Sequence, residues 1–216
     1  KRCRELDVVL VVDATQSMGA MPFDVQAIQP DFVVVATYKW LLGPHSFGFL
    51  YASPKWHNAE PLEQSWMNRL HSENMATLSD YQCEYQSGAQ RFDVGERNHM
   101  VLTPTAICGL EHLLEWGTAN IAAYNGSLTQ QLVTEAAPFG LTPLCAADRA
   151  PHMLIFCLSE LSDAEKQALL QTLREQQVYV SLRGNGLRVS PNIYNDANDI
   201  DRFLSVIQTV RAKAKA

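Results

Sequence analysis

Residues Asp31 to Tyr51 are DFVVVATYKWLLGPHSFGFLY, two apolar runs separated by a polar turn. The apolar run Phe32 to Ala36 has no alternation, the pattern of a strand buried on both faces, as in a parallel sheet covered by helices. It stops at Thr37-Tyr38-Lys39, turns through Gly43 and Pro44, and resumes as a strand over Phe47 to Ala52. That connection is too short for a helix, so the second strand is expected to return antiparallel. Upstream, Val8 to Val12 is another continuous apolar run, expected to be a buried strand and ended by Asp13-Ala14-Thr15-Gln16-Ser17-Met18-Gly19. The interval between the runs is long enough for a crossover, with Phe23, Val25 and Ile28 on its apolar side, which makes a βαβ unit. In such a unit Asp13 and Lys39 leave neighbouring strands at one edge, where open α/β sheets bind ligands.

A lysine delivered to a partly desolvated crevice can lose its proton and act as an amine toward a carbonyl. On that ground Lys39 is expected to hold pyridoxal 5'-phosphate as a Schiff base. The cofactor also needs a carboxylate beside its ring nitrogen, donors for its phosphate and a group for the substrate carboxylate. Asp13 suits the first need, because an ion pair in a dry site keeps the ring nitrogen protonated. A different class fits part of the same stretch. Asp13, Thr15 and Ser17 after a buried strand resemble the metal-dependent adhesion motif of von Willebrand A domains, in which such oxygens coordinate magnesium. That alternative would make a binding module and leaves Lys39 without a role.

Composition narrows the classes. The chain has 216 residues, 47% of them hydrophobic and 19% charged, enough to bury a core in one large or two small domains. A formal charge of -6 and the absence of a Lys/Arg stripe interleaved with aromatics argue against a nucleic-acid partner; the basic tail Arg211, Lys213, Lys215 is short. No run of apolar residues reaches the length of a transmembrane helix, about 18 residues, so no membrane partner is expected. Cys3, Cys83, Cys108, Cys145 and Cys157 are odd in number and form no CxxC pair, which suits reduced thiols in a cytoplasmic protein. The chain starts without methionine, and Lys1 to Asp7 runs directly into an apolar segment, as expected of a fragment.

Further along, Ser53 to Met100 carries few periodic apolar positions but many aromatic and polar ones, among them Trp56, Trp66, Arg69, Tyr81, Tyr85 and Arg91, and is expected to be ordered and interface-forming. Thr103-Pro104 opens a helix with Ile107, Leu110 and Leu114 on its core face, ended by Gly117. A second helix carries Ile121, Tyr124, Leu128 and Leu132, stopped by Pro138 and Gly140. Short alternating elements follow: strands near Leu141 to Cys145 and Met153 to Leu158, a helix from Ser162 with a capping box to Glu165, strands Val178 to Leu182 and Leu187 to Ser190 around Gly184-Asn185-Gly186, and a final helix from Asp196. A boundary near Ala137 divides the chain into residues 1–137 and a small α+β domain of residues 138–216.

Val12 to Ser17, Asp31-Phe32, Lys39 to Pro44 and Gly48 to Tyr51 together resemble class V aminotransferase-fold enzymes, the group of cysteine desulfurases, kynureninases and isopenicillin N epimerase. The resemblance covers most of the chain. It implies an α/β fold of the fold type I pyridoxal-phosphate-dependent transferases, here the C-terminal portion of the large mixed-sheet domain plus the small α+β domain. It implies Asp13 on the ring nitrogen, Gln16 on the cofactor's phenolic oxygen and Lys39 as covalent anchor and proton shuttle. Tyr38 resembles the kynureninase tyrosine on the cofactor phosphate, Thr37 could add a hydroxyl there, and Arg97 falls where relatives reach the neighbouring subunit's phosphate. Arg188 matches the arginine that pairs with the substrate α-carboxylate, a task suited to its bidentate fork. The implied function is an enzyme acting on an amino acid by transamination, epimerisation or lyase chemistry, as a homodimer. Desulfurase activity is disfavoured, because only Gly184-Asn185-Gly186 stands where those enzymes carry a nucleophilic cysteine loop.

Overall fold

The computed structural model describes residues 1–77, 79–80, 82–97, 99–144 and 149–213. Tyr81, Cys145 and Lys215, named above, lie outside them. The chain divides into two compact units, Lys1–Trp116 and Gly117–Ala216, rather than near Ala137.

In the first unit a short helix α1 (Arg2–Glu5) precedes strand β1 (Val11–Asp13), helix α2 (Val25–Ile28), strands β2 (Phe32–Ala36) and β3 (Gly48–Ala52), and, after a long irregular segment, helix α3 (Leu102–Trp116). The sheet order is β1-β2-β3. β1 runs parallel to β2, with Asp13 opposite Val34, and β3 runs antiparallel to it, with Ala36 opposite Gly48. The βαβ unit and the antiparallel return therefore form as the apolar runs predict.

Burial departs from expectation on one side of this sheet. Val33 and Val35 are buried, but Val34 is 39% exposed, and Val8, Val9 and Val11 are more open still. β1 is an edge strand shortened to three residues, so Val8 and Val9 have no ladder to join. Helix α3 also turns differently. Its buried stripe is Ala106, Gly109 and Leu113, while Ile107 and Leu114 face outward. Small residues prevail because this helix lies against backbone: a Cβ on Gly109 would sit 2.6 Å from the Leu42 carbonyl oxygen and 2.8 Å from that of Leu41.

The long segment between β3 and α3 is ordered by polar side chains bonding to backbone, with only short 3-10 turns. Gln86 is its hub: its Nε2 donates to the Ser72 hydroxyl at 2.8 Å and the Met67 carbonyl at 3.2 Å, and its own N–H donates to Asn68 O at 2.8 Å. Arg69 lies over the Tyr85 ring, 3.9 Å from the centroid, and Arg91 donates to Ala59 O.

The second unit begins with helix α4 (Thr118–Ala136) and continues with β4 (Leu154–Cys157), α5 (Asp163–Glu175), β5 (Ser181–Arg183), β6 (Gly186–Val189) and α6 (Ala197–Lys213). The antiparallel sheet has the order β4-β6-β5. Leu154, Phe156, Leu187 and Val189 on one face join Leu128 and Leu132 of α4, Leu169 and Leu173 of α5, and Phe203 and Ile207 of α6 in one core. That α4 contributes to this core is why the unit starts at Gly117. The Ser162 and Glu165 capping box forms, and Gly184 takes φ 56° in the β5–β6 turn. Instead of a strand, Thr142 to Leu144 follows β4 through an isolated bridge at Pro143, with Leu144 N–H donating to Ile155 O at 2.9 Å.

Candidate active site

The loop leaving β1 is tied to strand β2 by hydrogen bonds. Ala14 N–H continues the parallel ladder to Val34 O at 2.8 Å, and the Thr15 hydroxyl accepts the Ala36 N–H at 3.1 Å. Further on, Gly19 adopts φ 93°, and any Cβ there would overlap the Trp40 carbonyl oxygen. Only glycine combines that left-handed backbone with so close an approach. The turn after Asp13 is thereby seated on the turn containing Lys39.

Asp13 opens the β1 loop as an Asx turn, its Oδ1 accepting the Thr15 N–H at 2.9 Å. The Thr15 hydroxyl, then the Thr15 N–H, hold the carboxyl below its ordinary value against a small desolvation penalty, and the Lys39 ammonium adds to the depression. Asp13 is therefore ionised at neutral pH and lies in the field of Lys39. The Lys39 Nζ sits 5.5 Å from the centroid of the Tyr38 ring, and that ring stacks on His45 at 4.3 Å and 17°. Asp13, Thr15, Tyr38, Phe47, Arg97 and His99 line one cleft of about 920 Å³. Lys39 is half-buried and is not among the lining residues, which include its neighbour Tyr38, while Trp40 and Leu41 are buried. Gln16 is exposed on the turn that follows Asp13.

Two expected ligand groups are otherwise engaged. Thr37 is fully buried, and its Oγ1 faces the Pro44 and Phe47 carbonyl oxygens at 2.8 and 2.9 Å. Its hydroxyl shapes the turn and is closed to a phosphate, which removes Thr37 from the cofactor-binding set. Arg97 reaches the cleft but donates to Asp93 Oδ2 at 2.7 Å. The adhesion-motif alternative also fails in geometry. The Thr15 hydroxyl meets the Asp13 carboxylate as a hydrogen-bond partner while accepting the Ala36 N–H, and the Ser17 hydroxyl turns away to donate to Ala14 O at 3.3 Å, so the three oxygens are not arranged around a cation. His45 was not visible as a site residue in the sequence. An aromatic ring seven positions beyond Tyr38 across a tight turn is the only signal it carries.

In the second unit Arg188 lies on β6, half-buried, with its Nε enclosed and without a hydrogen-bond partner. Burial lowers its pKa, and the neighbouring Arg183 lowers it further. A buried guanidinium N–H without an acceptor is costly unless a ligand or neighbouring group supplies one.

These features fit pyridoxal phosphate at its ring end better than at its phosphate end. An ionised carboxylate, an exposed amide and a lysine amine occur on two mutually locked loops, whereas Tyr38 is the one hydroxyl of the expected set still open to the cleft.

Comparison with known proteins agrees with the architecture. An uncharacterised aminotransferase of Schizosaccharomyces pombe is 27% identical over 211 residues, which is 95% of this chain and 51% of that protein. The cysteine desulfurase of Thermococcus onnurineus superposes with a TM-score of 0.79 at 19% identity, covering 97% of this chain and 54% of the other. The cystine C–S lyase C-DES, solved with glycine covalently linked to its PLP cofactor, superposes with a TM-score of 0.68 at 20% identity, covering 89% and 49%. These are fold type I structures, and the mixed α/β architecture of this chain is theirs. The chain spans about half the length of the relatives it matches. With the aminotransferase class-V family matching residues 1–203, the chain belongs to that family.

Proposed function

We propose that the protein works as a pyridoxal-phosphate-dependent enzyme on an amino acid, by transamination, epimerisation or lyase chemistry. The observation that carries this reading is the placement of Asp13 and Lys39 at the same end of two parallel strands, within electrostatic reach, on loops fixed to each other by the Thr15 hydroxyl and the Gly19–Trp40 contact.

When bound, the cofactor supplies an electron sink that weakens bonds at the substrate α-carbon. Lys39 would hold the cofactor through its side-chain amine and would carry the proton at the substrate α-carbon. Asp13, ionised by its Thr15 bonds, keeps the ring nitrogen protonated. Gln16 would donate to the phenolic oxygen, and Tyr38, with His45 stacked behind its ring, would bind the phosphate. Arg97 adds charge at the phosphate end while remaining paired to Asp93. Arg188 takes the substrate α-carboxylate. The β5–β6 connection is a tight hairpin turn at Gly184-Asn185, which leaves no loop for a desulfurase thiol and supports the other subtypes.

A homodimer in the cytoplasm is the setting we infer. The described cysteines Cys3, Cys83, Cys108 and Cys157 are free, and no helix among the described residues is long and apolar enough to cross a membrane. Light scattering at micromolar protein tests the dimer.

The cofactor assignment is tested by titrating pyridoxal phosphate into the protein, reducing with borohydride and mapping the modified peptide by mass spectrometry. The expected result is an absorbance band near about 420 nm and the cofactor mass fixed on Lys39, both lost in Lys39→Ala. Label on another lysine, or an unchanged band in the variant, refutes the assignment.

A further inference from the structure

The outward face of the second unit's sheet carries two arginines and, among the described residues, no acid paired to either. The register fixes which side chains share that face. Ser181 lies opposite Arg188 and Arg183 opposite Gly186, while Ile155 and Cys157 of β4 face Arg188 and Gly186 from the other side. Directly opposed residues, and those two apart, project to the same side of a sheet. Arg183, Arg188, Ser181, Ile155 and Cys157 therefore stand together, and the core residues Leu154, Phe156, Leu187 and Val189 occupy the reverse face.

Arg183 and Arg188 are diagonal neighbours on adjacent strands, a relation that spans roughly 7–8 Å between α-carbons and lies within reach of long side chains. Gly186, opposite Arg183, presents no side chain between them, and a Cβ there would overlap the Ile155 Cγ2. Among the described residues the buried Arg188 Nε has no acceptor, and Arg183 donates only to its neighbour's carbonyl, Leu182 O, at 3.2 Å. The proximity of the two charges is felt, since Arg183 helps to lower the Arg188 pKa. Like charges set side by side without a counterion destabilise a sheet unless a ligand supplies the missing negative charge.

We propose that Arg183 is the second cation of a two-arginine anion site with Arg188, and that the site selects ligands bearing two carboxylates, such as acidic amino acids and their keto acids, over neutral ones. This deepens the reading of Arg188 as the partner of the substrate α-carboxylate and assigns Arg183 to the side-chain carboxylate. Each arginine offers a planar fork that binds one carboxylate with two parallel hydrogen bonds.

The test compares succinate with butyrate, which have equal carbon number and differ in the second carboxylate, by calorimetric titration into the full chain at low ionic strength without cofactor. Succinate is expected to bind about tenfold more tightly. Arg183→Gln is expected to erase that advantage while leaving butyrate unchanged, Arg183→Lys to restore part of it, and Arg188→Gln to abolish binding of both. Arg183 is exposed at a turn, so circular dichroism should be unchanged in its variants. Equal affinity for the two acids, binding of neither, or a succinate advantage that survives Arg183→Gln overturns the proposal. Because cofactor is left out, the two readings fail separately. A chain that prefers succinate but takes up no pyridoxal phosphate keeps the anion site, and a chain that takes up cofactor without discriminating loses only the anion site.

Discussion

Replacing Thr37 by valine separates a structural hydroxyl from a ligand-binding one. The Thr37 Oγ1 has one proton and two carbonyl oxygens in reach, Pro44 O at 2.8 Å and Phe47 O at 2.9 Å. Phe47 O is also served by the Thr37 N–H at 3.0 Å, so valine would orphan Pro44 O alone. Leaving one buried carbonyl unpaired costs about 1–3 kcal/mol. A methyl group in the hydroxyl's place would also meet Pro44 O inside van der Waals contact, so the upper half of that range, about 2–3 kcal/mol, is expected. Thr37→Ser keeps the hydroxyl and loses one buried methyl, about 1 kcal/mol. In urea, followed by tryptophan fluorescence because Trp40 is buried in this turn, the valine variant should shift the midpoint down by about 1 M and the serine variant by about half as much. Pyridoxal phosphate affinity, measured under native conditions, should fall less than about threefold in either variant. A valine variant as stable as the parent that nevertheless loses more than about tenfold in cofactor affinity would mean that the hydroxyl faces the ligand, and the reasoning would be wrong.

Other consequences follow from single contacts. Asp31 accepts the Leu10 N–H at 2.8 Å and the Trp56 Nε1–H at 2.7 Å, and these bonds, in that order, hold its carboxyl below the ordinary 3.8. A depressed carboxyl stabilises the fold fully above its unfolded value and ceases to do so as pH falls through the folded one. The stability gap between parent and Asp31→Asn should thus be constant near neutrality and narrow below about pH 4; denaturant melts at neutral pH and at acid pH check it, and a gap that widens in acid counts against the assignment. Gly109→Ala drives a Cβ to 2.6 Å from Leu42 O, so α3 must lift from the Lys39 turn; a loss of about 2–4 kcal/mol is expected in thermal melts, with slower covalent uptake of pyridoxal phosphate. Ser162→Ala removes the cap on α5 and should cost about 1 kcal/mol in denaturant melts without affecting cofactor uptake, because the residues proposed to hold the cofactor lie in the first unit.

The placement of the candidate site's Asp13 and Lys39 was legible because strand pairing carries residues to known edges. The Phe32 to Ala36 run placed Lys39, the Val8 to Val12 run placed Asp13, and the crossover between them made the strands parallel. Apolar runs do not report whether both faces are covered, however, so the exposed Val8, Val9 and Val34 could not be foreseen. In α3 the sequence advertises Ile107, Leu110 and Leu114. The helix buries Ala106, Gly109 and Leu113 because the Leu41 and Leu42 carbonyls come too close for larger side chains, and such backbone proximity leaves no periodic trace. Thr37 failed as a ligand for a related reason. A hydroxyl beside a lysine has the same composition whether it points to a cleft or to Pro44 O, and the direction is set by a seven-residue return that only coordinates reveal. The segment between β3 and α3 was readable as ordered from its aromatics, but its hub, Gln86, has no signature beyond being polar.

The two units meet different physical demands, which explains where sequence reasoning succeeded. The covalent anchor proposed at Lys39 needs a turn that does not breathe, and close backbone contacts hold that turn: Gly19 against Trp40 O, Gly109 against Leu42 O, and Thr37 bridging the turn's own carbonyls. Every one of these contacts constrains residue type, so punctuation by glycine and proline marked the region as special before its geometry was known. A carboxylate receptor needs the opposite, cations held without partners. Arg183 and Arg188 suit that need in that no acid pairs with either among the described residues, and an absence has no motif. It becomes visible only when the β5–β6 register puts both side chains on one face, two positions apart across a bare glycine. If succinate fails to discriminate between the parent and Arg183→Gln, this shared face is incidental to function, and the cost of two adjacent guanidinium groups must be offset by solvent alone.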